Sequence, residues 1–220
     1  MPQSARYDGY ADWYEDWNQP HAERYGAEVQ ELLGPGDGLC LDLGCGGGHY
    51  LGALAATGRT VVGLDYSADQ LRFARRRSRR VVQGDAAALP FGDGTFGTVA
   101  AIWISTDVDD FGAVVAEAAR VLRPGGLLGC YLAHPCFNGP HIEWLDDGGV
   151  RAHPTYRQAG WQAPAPWWGP HVRARVGMRL FPLADLLNAL ARNELIIEHA
   201  AEAGHRGVPT ILALRARKAG

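Results

Sequence analysis

Cysteine is scarce in this 220-residue chain: Cys40, Cys45, Cys130 and Cys136 are the only four, and none is spaced as C-x-x-C. That excludes a disulfide framework and leaves no zinc-site pattern. Lysine is almost missing. Of 21 basic residues 20 are arginine, and the net charge of -3 offers no broad field for a polyanion. No stretch approaches the roughly 20 apolar residues that a membrane span requires. The first residues also lack a basic segment followed by an apolar run, carrying Asp8, Asp12, Glu15 and Asp16 among aromatics instead. No secretory signal is therefore expected, and the cytoplasm is the expected compartment. A hydrophobic content of 47% suffices for one sizeable core, so residues 1–220 are expected to form one domain.

What the chain does have is glycine at a telling place. Leu41-Asp42-Leu43-Gly44-Cys45-Gly46-Gly47-Gly48-His49-Tyr50 ends an apolar strand in glycines and then opens a helix. Glycines there reach backbone angles closed to other residues and let a ligand lie against the turn. The dinucleotide fingerprint is G-x-G-x-x-G, whereas here the third glycine comes one position early and His49 stands in its place. Asp42 argues the same way, because a carboxylate at the strand end repels a pyrophosphate and attracts an ammonium or sulfonium. NAD is disfavoured and a cationic nucleoside cofactor is preferred.

Two further apolar runs end in acids. Thr60-Val61-Val62-Gly63-Leu64-Asp65 lies about 20 residues beyond the glycines, where such folds place a ribose-binding carboxylate. Arg80-Val81-Val82-Gln83-Gly84-Asp85-Ala86 ends in an acid able to accept an adenine amine, with a backbone donor at Ala86. Aspartate is a common turn residue, but three successive strand ends carrying one point to a shared ligand.

On these residues the chain resembles the class I S-adenosylmethionine-dependent methyltransferases, in the branch that modifies small metabolites. The resemblance covers most of residues 7 to 132. It also rests on Tyr66-Ser67, on Ala87-Ala88-Leu89-Pro90-Phe91 and on Arg120-Val121-Leu122-Arg123-Pro124-Gly125-Gly126. It implies a doubly wound α/β fold with a mostly parallel seven-stranded sheet and an aromatic-rich insertion after the fifth strand. It implies S-adenosylmethionine as cofactor and S-adenosylhomocysteine as product. Asp42, Gly44, Cys45 and Gly46 would hold the methionine part, Asp65 the ribose, and Asp85 with Ala86 the adenine. Tyr66, Gly84 and Trp103 complete the implied contacts, and Tyr7 and Tyr14 resemble tyrosines that reach the cofactor carboxylate.

Periodicity fills in the remaining elements. Ser67 and Gln70 have capping-box spacing and should start a helix directly after Asp65. A helix is expected from about Asp109 to Leu122, with Phe111, Val114, Val115, Ala118, Val121 and Leu122 buried and Pro124-Gly125 as its stop. Leu127 to Ala133 then reads as a strand. Leu183, Leu186, Leu187 and Leu190 form a helical stripe behind Pro182, followed by strands around Leu195-His199 and Thr210-Arg215, which the resemblance implies close the sheet as a reversed hairpin. Arg72, Arg75, Arg76, Arg77, Arg79 and Arg80 crowd one helix and its exit, which reads as a solvated face rather than a phosphate track.

Specificity is expected in the remainder, an N-terminal helical cap over residues 1–30 and a substrate lid over residues 136–181. Six of seven tryptophans lie there: Trp13, Trp17, Trp144, Trp161, Trp167 and Trp168. They either cover an apolar acceptor or, with prolines such as Pro164, Pro166 and Pro170, stiffen a long loop. His134, which ends the Leu127 to Ala133 strand, is the first candidate general base, with His141 and His171 behind it and Asp107 as a substrate or cation contact. A carboxylate acceptor would need no base. The reading is an enzyme that methylates a small aromatic or apolar specialised metabolite, oxygen preferred over nitrogen or carbon, as a monomer or homodimer without nucleic-acid or membrane partners or a metal. The alternatives are the same fold catalysing a non-methylating cyclisation or rearrangement, and a nucleic-acid methyltransferase.

Overall fold

The computed structural model describes residues 5–158, 160–169, 171–204 and 207–220. Its elements follow the expected alternation. Helix α1 (Ala11–Leu33) leads to β1 (Leu39–Leu43), α2 (Leu51–Ala55), β2 (Thr60–Asp65), α3 (Ala68–Arg77), β3 (Val81–Gln83), β4 (Phe96–Ile102), α4 (Phe111–Val121) and β5 (Leu122–Ala133). The insertion contributes two small hairpins, β6 (Ile142–Trp144) with β7 (Val150–Ala152) and β8 (Trp161–Gln162) with β9 (Met178–Arg179). The short helix α5 (Val172–Val176) lies between β8 and β9. Helix α6 (Leu183–Arg192), β10 (Leu195–Ala203) and β11 (Ile211–Lys218) complete the chain.

Seven strands form one sheet in the order β10-β11-β5-β4-β1-β2-β3. Pairing is parallel from β5 through β3, and β11 runs antiparallel to both β5 and β10. The strand order reverses between β1 and β4, so the chain leaves their carboxyl ends in opposite directions. In doubly wound sheets that divergence opens a crevice.

Side-chain alternation along each strand feeds two hydrophobic layers. Leu41, Leu43, Val99, Leu128 and Leu132 pack with α4 and α6 on one face. Cys40, Val61, Ala100 and Tyr131 meet α2 and Tyr25, Val29 and Leu32 of α1 on the other. The first helix is therefore more than a cap, because its C-terminal half closes one face of the sheet. Its N-terminal half is tied down by part of the arginine run: Arg72 bonds to Asp12, and Arg77 to Glu15 and to the carbonyl of Gly47.

Helix ends fall close to expectation. Asp110 caps α4 by accepting from Ala113 N at 3.0 Å. The helix stops one residue early, since Leu122 pairs with Phe96 and begins β5 ahead of Pro124. The hairpin strand expected over Leu195-His199 runs on to Ala203, passing a register irregularity between Ile197 and His199. Among the described residues no helix is long and apolar enough to cross a membrane.

Candidate active site

A cleft of about 810 Å³ lies above the carboxyl ends of β1, β2, β3 and β4. Ten of the twelve residues expected to touch a cofactor line it: Tyr7, Tyr14, Gly44, Gly46, Asp65, Tyr66, Gly84, Asp85, Ala86 and Trp103. Four separate strand ends thus converge on one volume, which is within the usual range for a small-molecule site.

The turn after β1 is anchored to β2, because Gly44 N and Cys45 N both donate to the carbonyl of Leu64, at 2.8 and 2.9 Å. Gly44 and Gly46 have φ of +78° and +52°, in the left-handed region that favours glycine. Asp65 joins two turns at once: its Oδ2 accepts from Gly46 N at 2.7 Å and its Oδ1 from Ser67 N at 2.8 Å. Burial pushes its carboxyl up to about 6, against the two amide bonds that favour ionisation. Each carboxylate oxygen keeps a further lone pair for hydroxyl donors.

Two expected contacts, Asp42 and Cys45, are not among the residues that line the cleft. Asp42 sits in mid-sheet between Leu41 and Leu43, and alternation turns it with Cys40 toward the α1 layer; it is 2% exposed, and its Oδ2 has no hydrogen-bond partner among the described residues. Burial pushes its carboxyl up to about 7, with Asp65 adding to the rise. Cys45 directs its thiol into the apolar cluster with Leu71 and Ala74 and against Gly63, where a Cβ would stand 2.8 Å from Sγ.

The Asp42 carboxyl makes the fold pH-sensitive in a defined direction. An unfolded aspartate titrates near about 3.9, so folding takes up a proton between that value and about 7. The associated stabilisation is present in acid and is lost as pH rises through that window. Asp42→Asn should raise Tm by roughly 5 °C at about pH 8, the gain shrinking towards about pH 4. Thermal melts at the two pH values check this, and an equal shift at both would contradict it.

None of the three candidate histidines is among the residues that line the cleft. His134 is 2% exposed, with Nε2 2.8 Å from Glu202 Oε1 and Nδ1 accepting from Cys136 N. Its position follows from β11, whose approach brings the carbonyl of Thr210 to His134 N at 2.9 Å. His141 is buried beneath the insertion, its Nε2 3.0 Å from the carbonyl of Cys136. His171 caps α5 by accepting from Arg173 N.

The tryptophans of the cap and lid do not line the cleft either. Trp13 and Trp17 stack along α1, and Trp167 stacks on His153 at 3.9 Å while donating to the carbonyl of Ile142. Stiffening of the insertion is the role these contacts show; Pro170 lies outside the described residues. The seventh tryptophan does reach the cleft. Trp103 follows β4 with φ of +61°, unusual for a bulky residue, and its ring nitrogen donates to Tyr50 Oη at 2.9 Å. Strain of this kind persists where the surroundings enforce it, and it recurs at ligand sites.

Three groups at the cleft were not read as site residues from sequence. Gln70 is 2% exposed and lines the cleft, yet neither its Oε1 nor its Nε2 has a hydrogen-bond partner among the described residues. Only half of the capping box forms: Ser67 Oγ accepts from Gln70 N, while Ser67 N turns to Asp65. Arg173 of α5 forks onto Asp107 at 2.6 and 2.9 Å, and Tyr7 Oη donates to the same carboxylate at 3.1 Å. Burial opposes the charge of Arg173, but Asp107 and Tyr7 outweigh it and hold the guanidinium protonated. Arg6 enters the cleft with Nη2 2.7 Å from Asp109 and its guanidinium 3.5 Å over the Trp161 ring. The hydrogen-bonded partners stand 66 to 103 residues apart, so no local pattern signals them.

The charged lining is Asp65, Asp85, Asp107, Asp109 and Asp110 against Arg6 alone. An excess of acids, a glycine turn open to close approach and an unpartnered buried carboxamide fit a cationic nucleoside carrying hydrogen-bonding substituents. A dinucleotide pyrophosphate would meet repulsion there.

Comparison with known proteins agrees with this geometry. Residues 41–130 match a family described as a methyltransferase domain. The chain is 41% identical over 110 residues to a fatty-acid O-methyltransferase of Mycolicibacterium smegmatis, covering 47% of this chain and 39% of that one. It is 35% identical over 125 residues to a demethylmenaquinone methyltransferase of Corynebacterium kroppenstedtii, covering 55% and 52%. The matches thus span about half, or less, of the length of these relatives. The fold is similar to that of an S-adenosylmethionine-dependent methyltransferase from Mesorhizobium loti, with a TM-score of 0.66 at 21% identity over 96% of this chain and 99% of that one.

Proposed function

From the premise that the chain belongs to the class I S-adenosylmethionine-dependent methyltransferases, we propose that it transfers the methyl group of S-adenosylmethionine to a small apolar or aromatic acceptor, at oxygen in preference to nitrogen or carbon. The convergence of Gly44, Gly46, Asp65 and Asp85 on one acid-lined cleft carries this reading. The names of the fatty-acid and demethylmenaquinone relatives support an apolar acceptor, and the former supports oxygen.

The residues divide the work by position. Asp65 receives the ribose hydroxyls with its spare lone pairs, Asp85 and the backbone at Ala86 receive the adenine edge, and Tyr66 stands beside them. The backbone of the Gly44–Gly46 turn and the Gln70 carboxamide serve the amino-acid portion, with Tyr7 and Tyr14 closing over it. The cofactor, when bound, supplies the methyl group together with a leaving group that needs no protonation.

What remains for the protein is alignment and exclusion of water. Proximity of this kind is worth roughly 7 to 11 kcal/mol in well-oriented reactions. Arg173 contributes to it by clasping Asp107, which draws the insertion over the far end of the cleft. In this reading residues 1–220 act as one methyltransferase domain, with 136–181 as the acceptor lid and 1–30 as cap.

The deciding experiment is mass spectrometry of acceptors incubated with the purified protein and S-adenosylmethionine. A product heavier by one methyl group, formed together with S-adenosylhomocysteine, is the expected result. A rearranged product of unchanged mass would replace this reading with cyclisation or isomerisation on the same fold.

A further inference from the structure

The groups along the cleft share a property with consequences for the acceptor: each of its aspartates already accepts a hydrogen bond or faces a guanidinium. Asp65 holds the amides of Gly46 and Ser67, Asp85 that of Ala87, and Asp110 that of Ala113. Asp107 receives both arms of Arg173 and the Tyr7 hydroxyl, while Asp109 sits between Arg6 at 2.7 Å and Arg179 at 3.6 Å. The phenols of Tyr7 and Tyr14 hold their protons more tightly than a free phenol, because burial penalises their anions. Of the candidate histidines, none of which is among the residues lining the cleft, His134 has both ring nitrogens engaged, His171 caps α5 through Nδ1, and His141 has Nε2 on the carbonyl of Cys136 with Nδ1 lacking a partner among the described residues. An acceptor that must first lose a proton, such as a phenol or an ammonium, meets carboxylates in the cleft that are committed to amides and guanidinia.

The cleft also carries a recognition element. The Arg6 guanidinium stands 3.5 Å over the Trp161 ring, a contact that favours a guanidinium. Its hydrogen bonds among the described residues use only Nη2, out of five N–H donors. Its present partner Asp109 is shared with a second guanidinium, and the Asp109 side chain is 59% exposed. Two arginines on one exposed carboxylate leave room for another carboxylate. Ile104, Val108 and Val114 are apolar residues lining the same cleft.

Building on the methyl-transfer reading above, we propose that the acceptor is a carboxylic acid with an apolar or aromatic tail, held by Arg6 as its carboxylate, and that the product is its methyl ester. The balance needs no base. A carboxylate oxygen donates a lone pair to form the new O–CH₃ bond while the S–CH₃ bond breaks and its electron pair stays on sulfur. The carboxylate loses its negative charge, the sulfonium becomes a neutral thioether, and no proton moves. Arg6 is a specificity residue in this scheme, fixing the orientation of the acid while the tail lies against Ile104, Val108 and Val114.

The test uses the purified chain with octanoate and cinnamate, their primary amides, para-cresol and tyramine. Calorimetry first measures S-adenosylhomocysteine alone, then the acids in its presence. The acids should bind and be esterified, the amides should not bind, and kcat at saturating cofactor should stay level from about pH 7 to 9, since a carboxylate is already ionised throughout. Arg6→Met should raise KM for the acids on the order of 10- to 100-fold, the loss expected for a charge-assisted hydrogen-bonded pair, with S-adenosylhomocysteine affinity unchanged. Arg6→Lys should recover only part of it. Methylation of para-cresol or tyramine instead, failure of both acids to bind, or an unchanged KM in Arg6→Met overturns the acid assignment while the methyltransferase reading stands. Failure to bind S-adenosylhomocysteine at all overturns both.

Discussion

Valine at position 46 is expected to reduce affinity for S-adenosylhomocysteine by at least about 100-fold, with a Tm only about 5 °C lower. A Cβ built on Gly46 meets nothing nearer than Gln70 Oε1 at 3.8 Å, so a side chain there projects into the cleft rather than into packed structure. The φ of +52° adds backbone strain of about 1 to 3 kcal/mol for a β-branched residue, which accounts for the modest loss of stability. Alanine carries a similar strain with less bulk. A graded series in which Gly46→Ala loses far less affinity than Gly46→Val identifies occlusion as the cause. Unchanged affinity in the valine variant, measured by calorimetry, would remove the turn from the binding site.

Asp65 should prove nearly as sensitive, for a different reason. Its two oxygens bind the amides of Gly46 and Ser67 and so set the spacing between the turns after β1 and β2. Asp65→Ala leaves two amides without partners, at about 1 to 3 kcal/mol each where they are shielded from water, and removes the ribose acceptor. Both Tm and cofactor affinity should fall, the affinity by on the order of 100-fold. Asp65→Asn keeps the shape but turns an NH₂ group toward one of the amide donors, so it should rescue little. In the unsubstituted protein the carboxyl titrates near 6. Protonation removes negative charge and hydroxyl-accepting capacity, so S-adenosylmethionine affinity should weaken as pH falls through that value, and the asparagine variant should lose this dependence. An alanine variant with full affinity would show that Asp65 only braces the turns.

The Asp42 carboxyl is costly where it stands, buried and with its Oδ2 lacking a hydrogen-bond partner among the described residues. A protein selected for stability alone would have little use for it. Its charge lies behind the glycine turn and beside Asp65, and it adds to the negative potential that a cation in the cleft would feel. The predicted gain in stability of Asp42→Asn at high pH and the acid excess of the lining are two aspects of this arrangement.

Local patterns carried much of the architecture and the cofactor side of the cleft. Glycines with positive φ, the Ser67 cap and the acids that end β2 and β3 act through their own backbone neighbourhood, so their spacing in the chain is nearly their spacing in space. The reversed hairpin came with the family resemblance rather than from spacing. His134 was read as a base from its position at a strand end. Whether such a residue faces a crevice or the protein depends on what packs beside it, and here β11 and Glu202 enclose it. The tryptophan cover rested on composition, which does not say where a ring turns: Trp13 and Trp17 stack on each other along α1, and Trp167 of the insertion stacks on His153.

By itself the amino-acid sequence determined the alternation of strands and helices in a doubly wound sheet and the glycine and acid positions at its strand ends, because side-chain period and turn chemistry are properties of neighbouring residues; the count of seven strands came with the family resemblance. Tertiary structure alone decided which way Asp42 faces, that Arg173 and Tyr7 meet Asp107, and that Arg6 rests on Trp161. Those contacts join segments about 60 to 160 residues apart in the chain. They exist only after burial of the apolar layers has brought the segments together, and no rule of spacing encodes them beforehand.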